Sequence, residues 1–345
     1  MSQKLKIIII AAGGVLVLGV AGSIIAYNSF FGAPQKQAEF ERFIIPLKAS
    51  EQDTIQKLYE QGFIKNEQGF NFVLDRKNLY GKIQPGGYKI SKGMTAWQIA
   101  DVLKEPYMKW VVILEGLRKE QIAEILAKEL GWNDQVKKNW ITKYTAMNYD
   151  YVEGVYFPDT YLIPKDEAPL QIAQRFIDKF NEKFQPYAGK FLEANIKWNT
   201  ALKIASIVQR EAAGKDDMPL IAGILWNRLL KGMRLETDDT IQYVRDDVIH
   251  YGEARYDVQP TSYTSEGDWW KPITLADKQI ESPYNTYRNE GLPPHPICNP
   301  GLDAIDAVLN SAETECFYYL HDPSGQIHCA KTYEEHKENI EQFLK

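Results

Sequence analysis

The spacing of apolar residues changes from segment to segment along this chain, and each change predicts an element. Residues 7–27 carry no charge, and an apolar run of that length crosses a bilayer as a single helix. Lys4 and Lys6 precede it, which predicts a cytoplasmic N-terminus (residues 1–6) and an extracytoplasmic remainder at the cytoplasmic membrane. A cleaved signal peptide is the rival reading, because Val20-Ala21-Gly22 offers small residues behind an apolar core. The run continues through Ser23-Ile24-Ile25-Ala26, which favours the anchor. Residues 28–42 show no apolar period and read as a stalk. A small unit follows over 43–108, with a strand at Phe43-Ile44-Ile45, helices near 52–61 and 70–78, and a strand at Tyr88-Lys89-Ile90. Thr95 then caps a helix through Leu103. Val111-Val112-Ile113-Leu114 reads as a buried strand.

Helical spacing returns over 119–130, 170–184, 200–213 (with Asn199 or Thr200 as the cap), 219–229 and 302–311. Residues 316–320 and 327–330 predict a hairpin around Asp322-Pro323-Ser324-Gly325. Thr332 with Glu335 forms a capping box for the last helix. The chain is therefore expected to be α+β, with one N-terminal transmembrane helix, a small domain, and a larger mixed α+β domain over 109–345.

Within 200–213 one residue breaks the pattern. Ala201, Ala205, Val208 and Ala212 share an apolar stripe, widened by Ile204 and Ile207, while Lys203 and Arg210 lie opposite. Glu211 falls between Ile204 and Ile207, not with the charges. A carboxyl held against apolar side chains resists ionisation, and a protonated glutamic acid near neutral pH can donate a proton. The plain alternative is that Glu211 sits at the stripe's margin and pairs with a cation such as Arg228.

Composition narrows the chemistry. The 345 residues carry a net charge of −6, and no basic tract is present to neutralise phosphates, so nucleic acid is not an expected partner. The three cysteines show no Cys-x-x-Cys spacing. Cys316 and Cys329 flank the hairpin turn and either pair across it or remain two unlinked core cysteines. There is no Gly-x-Gly-x-x-Gly or Walker loop, no Gly-x-Ser-x-Gly or Ser-x-x-Lys, and no His-Glu-x-x-His. The five histidines are scattered; His321, His328 and His336 read as surface residues near the hairpin. No metal or cofactor is expected. Downstream of Glu211 the chain is dense in polar and aromatic loops, namely Thr237-Asp238-Asp239-Thr240, Ser282-Pro283-Tyr284-Asn285-Thr286-Tyr287, and 291–301 with Asn299. Such groups suit a sugar polymer, though ordinary turns with aromatic packing give the same pattern.

Several segments, taken in order, resemble the endolytic murein transglycosylase family, the YceG-like proteins. They are Glu115-Gly116-Leu117-Arg118, Glu153-Gly154-Val155-Tyr156-Phe157-Pro158-Asp159-Thr160-Tyr161, Ala205-Ser206-Ile207-Val208-Gln209-Arg210-Glu211, Asn227-Arg228-Leu229, Gly232-Met233-Arg234-Leu235 with Thr237, Asp238 and Thr240, Tyr284-Asn285-Thr286-Tyr287, Gly291-Leu292-Pro293-Pro294, and Asn299-Pro300-Gly301. The unit over 43–108, through Gly87-Tyr88-Lys89-Ile90 and Met94-Thr95, is similar to a LysM-like region, which implies a glycan contact; a plain spacer is the other reading. Three departures stand out. Gln209 replaces a usual glutamate, but it lies about 160° from Glu211 on the helix wheel and could not share its site. Asp239 stands where proline is usual, and His295 where a small residue is. Residues 257–270 look like an insertion, whose Trp269-Trp270 either adds a sugar platform or covers the core.

The resemblance implies cleavage of the MurNAc–GlcNAc β-1,4 bond within peptidoglycan strands, leaving 1,6-anhydro ends, with Glu211 as acid and then base. Thr237, Asp238, Tyr284, Asn285, Thr286, Tyr287 and Asn299 are the expected substrate-binding residues. Asn227 and Arg228 read as structural, and Asp159 and Tyr161 as loop architecture or cleft wall. Because the sugar supplies its own nucleophile, no second carboxylate is expected within about 5–10 Å across the scissile bond; Asp238 or Asp159 poised there would count against it. Partnership with membrane-bound peptidoglycan synthases is implied by family only. Two other readings stay open: a non-catalytic peptidoglycan-binding scaffold, and a water-using muramidase.

Overall fold

The computed structural model of the chain describes residues 3–251 and 269–345. Two compact units divide it, one comprising Met1–Trp110 with Tyr161–Asp166, the other Val111–Thr160 with Glu167–Lys345.

In the first unit, α1 (Gln3–Phe31) is the apolar run extended at both ends. Its Gly13–Phe31 stretch is long and apolar enough to cross a membrane, and none of that stretch is buried. The expected stalk is shortened, because α1 runs on to Phe31 and β1 (Phe40–Ile45) already begins at Phe40. The cause is apolar contact: the Phe31 ring lies 5.8 Å from Phe72 and 6.0 Å from Trp97. The helices α2 (Glu51–Glu60) and α3 (Glu67–Arg76) are capped by Ser50 and Asn66. β2 (Gly86–Ser91) pairs antiparallel with β1, placing Phe43 opposite Tyr88. Thr95 and Gln98 form a capping box on α4 (Ala96–Val102). Phe43, Ile55, Leu58, Phe70, Leu74, Ile90 and Ile99 make one core. β3 (Met108–Val112) and β4 (Thr160–Pro164) complete a sheet of order β1-β2-β3-β4. The stretch 111–114 is only half buried, because Val111 and Ile113 point inward while Val112 and Leu114 are exposed. That alternation is the period of two expected of a strand with one wet face.

The second unit is mostly helical. α5 (Lys119–Leu130) occupies its expected span, followed by α6 (Asp134–Asn139) and a π turn at Trp140–Tyr144. α7 (Pro169–Glu193) continues past the expected stop and through Pro186. Proline removes one helical hydrogen bond, but the buried Phe184 and Phe191 rings stack 5.7 Å apart on either side of it. α8 (Trp198–Glu211) begins earlier than expected, after Lys197, whose side chain makes no capping bond, because Trp198 packs on Tyr151 and Phe180. α9 (Met218–Leu230) carries Pro219 in its first turn. α10 (Asp238–Tyr251) was not legible as a helix. α11 (Leu302–Leu309), the hairpin β5 (Tyr318–His321) and β6 (Ile327–Ala330), and α12 (Tyr333–Phe343) complete the unit. Thr332 caps α12, but the Glu335 carboxylate accepts from Lys331 N–H, so the expected box is only half formed. α8 packs against α7, α9, α10 and α11.

The family-like segments converge behind α8. The Asn299 side chain donates to Glu153 Oε1 (2.6 Å) and to Leu117 O (3.0 Å), and accepts from Tyr156 N–H (2.8 Å). Gly301 N–H donates to Gln209 Oε1 on α8 at 2.9 Å. A Cβ on Gly301 would sit 1.9 Å from the Glu115 carboxylate, so a larger residue would displace that side chain. Arg118 is fully buried. Its guanidinium bonds Glu120, Asp247 and the Tyr243 carbonyl, and lies 3.8 Å from the Tyr243 ring centre. Arg118→Leu would leave two buried carboxylates without this cation. It should cost about 3–5 kcal/mol, read as a lower denaturation midpoint of the full-length protein. A cost under about 1 kcal/mol, the size of a surface pair, would refute this role.

Candidate active site

Glu211 is the last residue of α8. Ile204, Ile207 and Val208 on the preceding turns are fully buried, so the stripe that seats α8 also draws the carboxyl to the edge of the core. Glu211 is half-buried. Burial raises its pKa, and the nearby Asp238 carboxylate raises it further. The Tyr319 hydroxyl, His321 and the Asp239 N–H act the other way without reversing the direction. A helix C-terminus is itself an unfavourable place for an anion. α10 opposes that, presenting its first turn, and the Asp239 N–H within it, to the carboxyl.

Tyr319 is the closest polar side chain found on Glu211, its hydroxyl donating to Oε2 at 2.6 Å. It stands on β5 two residues before His321, so both project from one face of the strand. His321 Nε2 lies 3.2 Å from Asp217 Oδ2. Cys316 and Cys329 are joined as a disulfide across this hairpin, with Cα atoms 5.9 Å apart. Cys298 is buried, its Sγ 3.3 Å from Ser206 O.

Arg228 of α9 holds two walls of the site at once. Its Nε donates to Phe317 O (2.6 Å) at the start of the hairpin, and its Nη1 donates to Leu235 O (2.7 Å) and Arg234 O (3.1 Å) before α10. Asn227 Nδ2 donates to Thr314 O and Cys316 O. The structural reading of this pair is the one observed. The alternative pairing of Glu211 with Arg228 is not, since the guanidinium is occupied by carbonyls and by Glu236.

The expected binding residues separate into two groups. Asp238 and Tyr287 lie at the surface beside Glu211. The Tyr287 hydroxyl donates to Asp238 Oδ1 at 2.5 Å, and Lys278 Nζ sits 3.9 Å above the Tyr287 ring. Tyr284, Asn285, Thr286, Thr237 and Asn299 are buried, and the polar atoms of the last four serve the protein itself. Asn285 Nδ2 donates to Lys278 O and Ile280 O. Thr286 Oγ1 accepts from Thr237 N–H and bonds Thr240 Oγ1. Tyr284 packs its ring 4.9 Å from that of Tyr243. The polar groups of Asn285, Thr286, Thr237 and Asn299 are thus engaged within the fold. Asp159 spends its carboxylate on the Thr160 N–H. Tyr161 is buried.

The absence of a second carboxylate within about 5–10 Å across the scissile bond is the expectation, and two acids bear on Glu211 here. Asp238 acts on its charge. Asp239 is 4% exposed, and its pKa is pushed well up by burial and then by Glu211. Asp239 Oδ1 accepts from Thr240 N–H, while Oδ2 is buried with no hydrogen-bond partner among the described residues. Sequence reasoning missed Tyr319, which lies 108 positions from Glu211; the Tyr-x-His alternation on a strand was the available signal. Of the insertion over 257–270, only Trp269 and Trp270 fall within the described residues. The Trp269 ring stacks 3.8 Å from His250, and Trp270 lies 4.2 Å from the Arg210 guanidinium; both rings are partly buried. Among the described residues no group of three or more His, Cys, Asp and Glu is arranged to hold a metal.

The chain is 27% identical over 310 residues to the endolytic murein transglycosylase of Bacillus subtilis, covering 83% of this chain and 80% of that protein. It is 25% identical over 339 residues to the endolytic murein transglycosylase of Streptococcus pneumoniae, covering 87% of this chain but only 58% of that longer protein. A crystal structure of a YceG-like protein from Listeria monocytogenes superposes with a TM-score of 0.55 at 26% identity, over 88% of this chain and 99% of that one. The profile of the YceG-like family matches residues 43–342, and the chain belongs to that family.

Proposed function

We propose that this protein is a membrane-anchored lytic transglycosylase that cleaves peptidoglycan strands internally at the MurNAc–GlcNAc β-1,4 bond. The observation that carries the reading is Glu211: a half-buried carboxyl at the end of an apolar helix, with its pKa raised and its Oε2 held by Tyr319. A carboxyl in that state is protonated where an exposed one is not, and is suited to general acid work. Glu211 gives its proton to the departing GlcNAc O4 as the C1–O4 bond breaks. The resulting carboxylate takes the proton of the MurNAc C6 hydroxyl, whose oxygen closes on C1. Glu211 is thereby restored, no water is consumed, and a 1,6-anhydro end remains. The half-exposed Asp238–Tyr287–Lys278 cluster is the natural wall for the sugar to rest on. The disulfide and the apolar α1 both support an anchor with the catalytic unit outside the cytoplasm. The small unit would contribute a glycan contact, and membrane-bound peptidoglycan synthases are the partners the family suggests.

Asp238 favours a second reading. It is a second carboxylate beside the acid, and a water-using muramidase requires one as base. Products separate the two. With the full-length protein and purified peptidoglycan, mass spectrometry should find anhydro-ended fragments from the parent and about 100-fold fewer from Glu211→Gln. Reducing-end fragments, heavier by one water, would instead mean hydrolysis, and binding without cleavage would mean a scaffold.

The pH profile of Asp238→Asn is the sharper measurement. Activity needs protonated Glu211, so the rate falls as pH rises through its pKa. Removing the Asp238 charge lowers that pKa. The transglycosylase reading therefore expects retained cleavage with its alkaline limb moved to lower pH. Loss of all turnover at every pH would instead favour Asp238 as the base of a hydrolase.

A further inference from the structure

The hairpin that carries Tyr319 is too short to hold itself in place. β5 and β6 contribute four residues each, and a two-stranded hairpin of that size is at best marginally stable alone. Its turn end is closed by Asp322, whose carboxylate accepts from the N–H groups of Ser324 and Gln326. Its open end is closed by the Cys316–Cys329 disulfide. Cys329 is the residue directly opposite Tyr319 in the ladder. Cys316 lies beside the segment that Asn227 and Arg228 tie to α9. The bridge thus joins the Tyr319 position to the part of the hairpin that α9 fixes. Tyr319 spends its hydroxyl on Glu211 Oε2, which fixes one of the two carboxyl oxygens.

We infer that Tyr319 is the positioning residue of the Glu211 carboxyl, and that the Cys316–Cys329 disulfide fixes Tyr319 in that role, so that cleavage depends on the oxidised hairpin. This deepens the proposed function and rests on it. Opening the bridge breaks the Sγ–Sγ bond with two electrons and two protons from an added dithiol, which leaves as its own disulfide. The two cysteine thiols that result no longer restrain the strand opposite Cys329.

The charged and titratable groups that bear on Glu211 are Tyr319 and His321 from β5, Asp238 and Asp239 (carboxyl and backbone N–H) from α10, and Tyr287 from the loop after 280. Arg228 acts on Tyr319 in turn. A donor on the carboxylate favours its charged form. Deleting the hydroxyl therefore raises the Glu211 pKa, and the alkaline limb moves to higher pH. General loosening that admits water would relieve desolvation and move the limb the other way.

The test uses the full-length protein, as parent, Tyr319→Phe, Cys316→Ser/Cys329→Ser, and the three changes combined, with thermal unfolding of each. Tyr319→Phe should lower kcat about 10- to 100-fold with KM nearly unchanged, and shift the alkaline limb upward. The serine pair, and parent reduced by dithiothreitol, should lose about 3- to 10-fold in kcat. The combined variant should be no worse than Tyr319→Phe alone, because the bridge acts through Tyr319. Unchanged kcat and pH profile in Tyr319→Phe, or a downward limb, overturns the positioning role. Losses that multiply in the combined variant, or full activity after reduction, overturn the role of the bridge. Infrared titration of the protonated-carboxyl band that vanishes in Glu211→Gln supplies a readout independent of cleavage. If Glu211→Gln still cleaves, the acid assignment fails; an upward shift of that band in Tyr319→Phe would still support the Tyr319 contact.

Discussion

The active face of the second unit depends on how one buried cation is satisfied. Arg228 meets backbone carbonyls from two segments that are far apart in sequence, Phe317 on one side and Arg234 with Leu235 on the other. A planar guanidinium has several donors in fixed directions, so satisfying it fixes the two segments relative to each other. One leads into β5 and Tyr319, the other into α10 and Asp238. The same choice leaves Glu211 without a cation of its own. Had Arg228 turned to Glu211, the carboxyl would be an ordinary ion pair with a lowered pKa. The guanidinium is spent on carbonyls and on Glu236 instead.

The motifs that stand out in the sequence are mostly not the chemistry. Glu115-Gly116-Leu117-Arg118, Glu153-Gly154 and Asn299-Pro300-Gly301 form a polar staple at the back of α8, through Asn299, Glu153 and Gln209. The Glu153 carboxyl is fully buried, and desolvation raises its pKa. Such a network is costly unless every member finds a partner, and here the partners come from three separated stretches. The side-chain members, Asn299, Glu153 and Gln209, meet backbone groups of Leu117, Lys119, Tyr156 and Gly301. Gln209 is serviceable on α8 because its amide oxygen takes the Gly301 N–H, a role unconnected with proton transfer.

Glu211 was legible in the sequence because a helix wheel compares residues within a few turns, and the anomaly is local. The same holds for α5, for the caps at Ser50 and Thr95, and for the hairpin. What was not legible depended on distance or on direction. Thr237-Asp238-Asp239-Thr240 reads as a turn from composition, yet Thr237 N–H and Thr240 Oγ1 lock onto Thr286 and start a helix there. Tyr284, Asn285 and Thr286 have the right chemistry for a sugar but point inward, and composition says nothing about direction. Helix α7 passes through Pro186 because aromatic burial on both sides outweighs one missing hydrogen bond.

Holding acids protonated has a consequence for stability. Glu211 and Asp239 both have native pKa values above their ordinary ones. The unfolded chain releases these protons at lower pH than the folded one does. Each group is therefore neutral to stability below its unfolded pKa and subtracts from it as pH rises toward and through the folded value. At neutral pH the site is a destabilising cluster. Its geometry must be imposed from outside, by groups that lose nothing at that pH. Arg228 and the Arg118 network are permanent charges with fixed partners, and the disulfide is covalent. Each restraint grips a segment that carries the site: Arg228 ties α9 to the stretches leading into β5 and α10, Arg118 holds α10 through Asp247 and Tyr243, and the disulfide closes the hairpin.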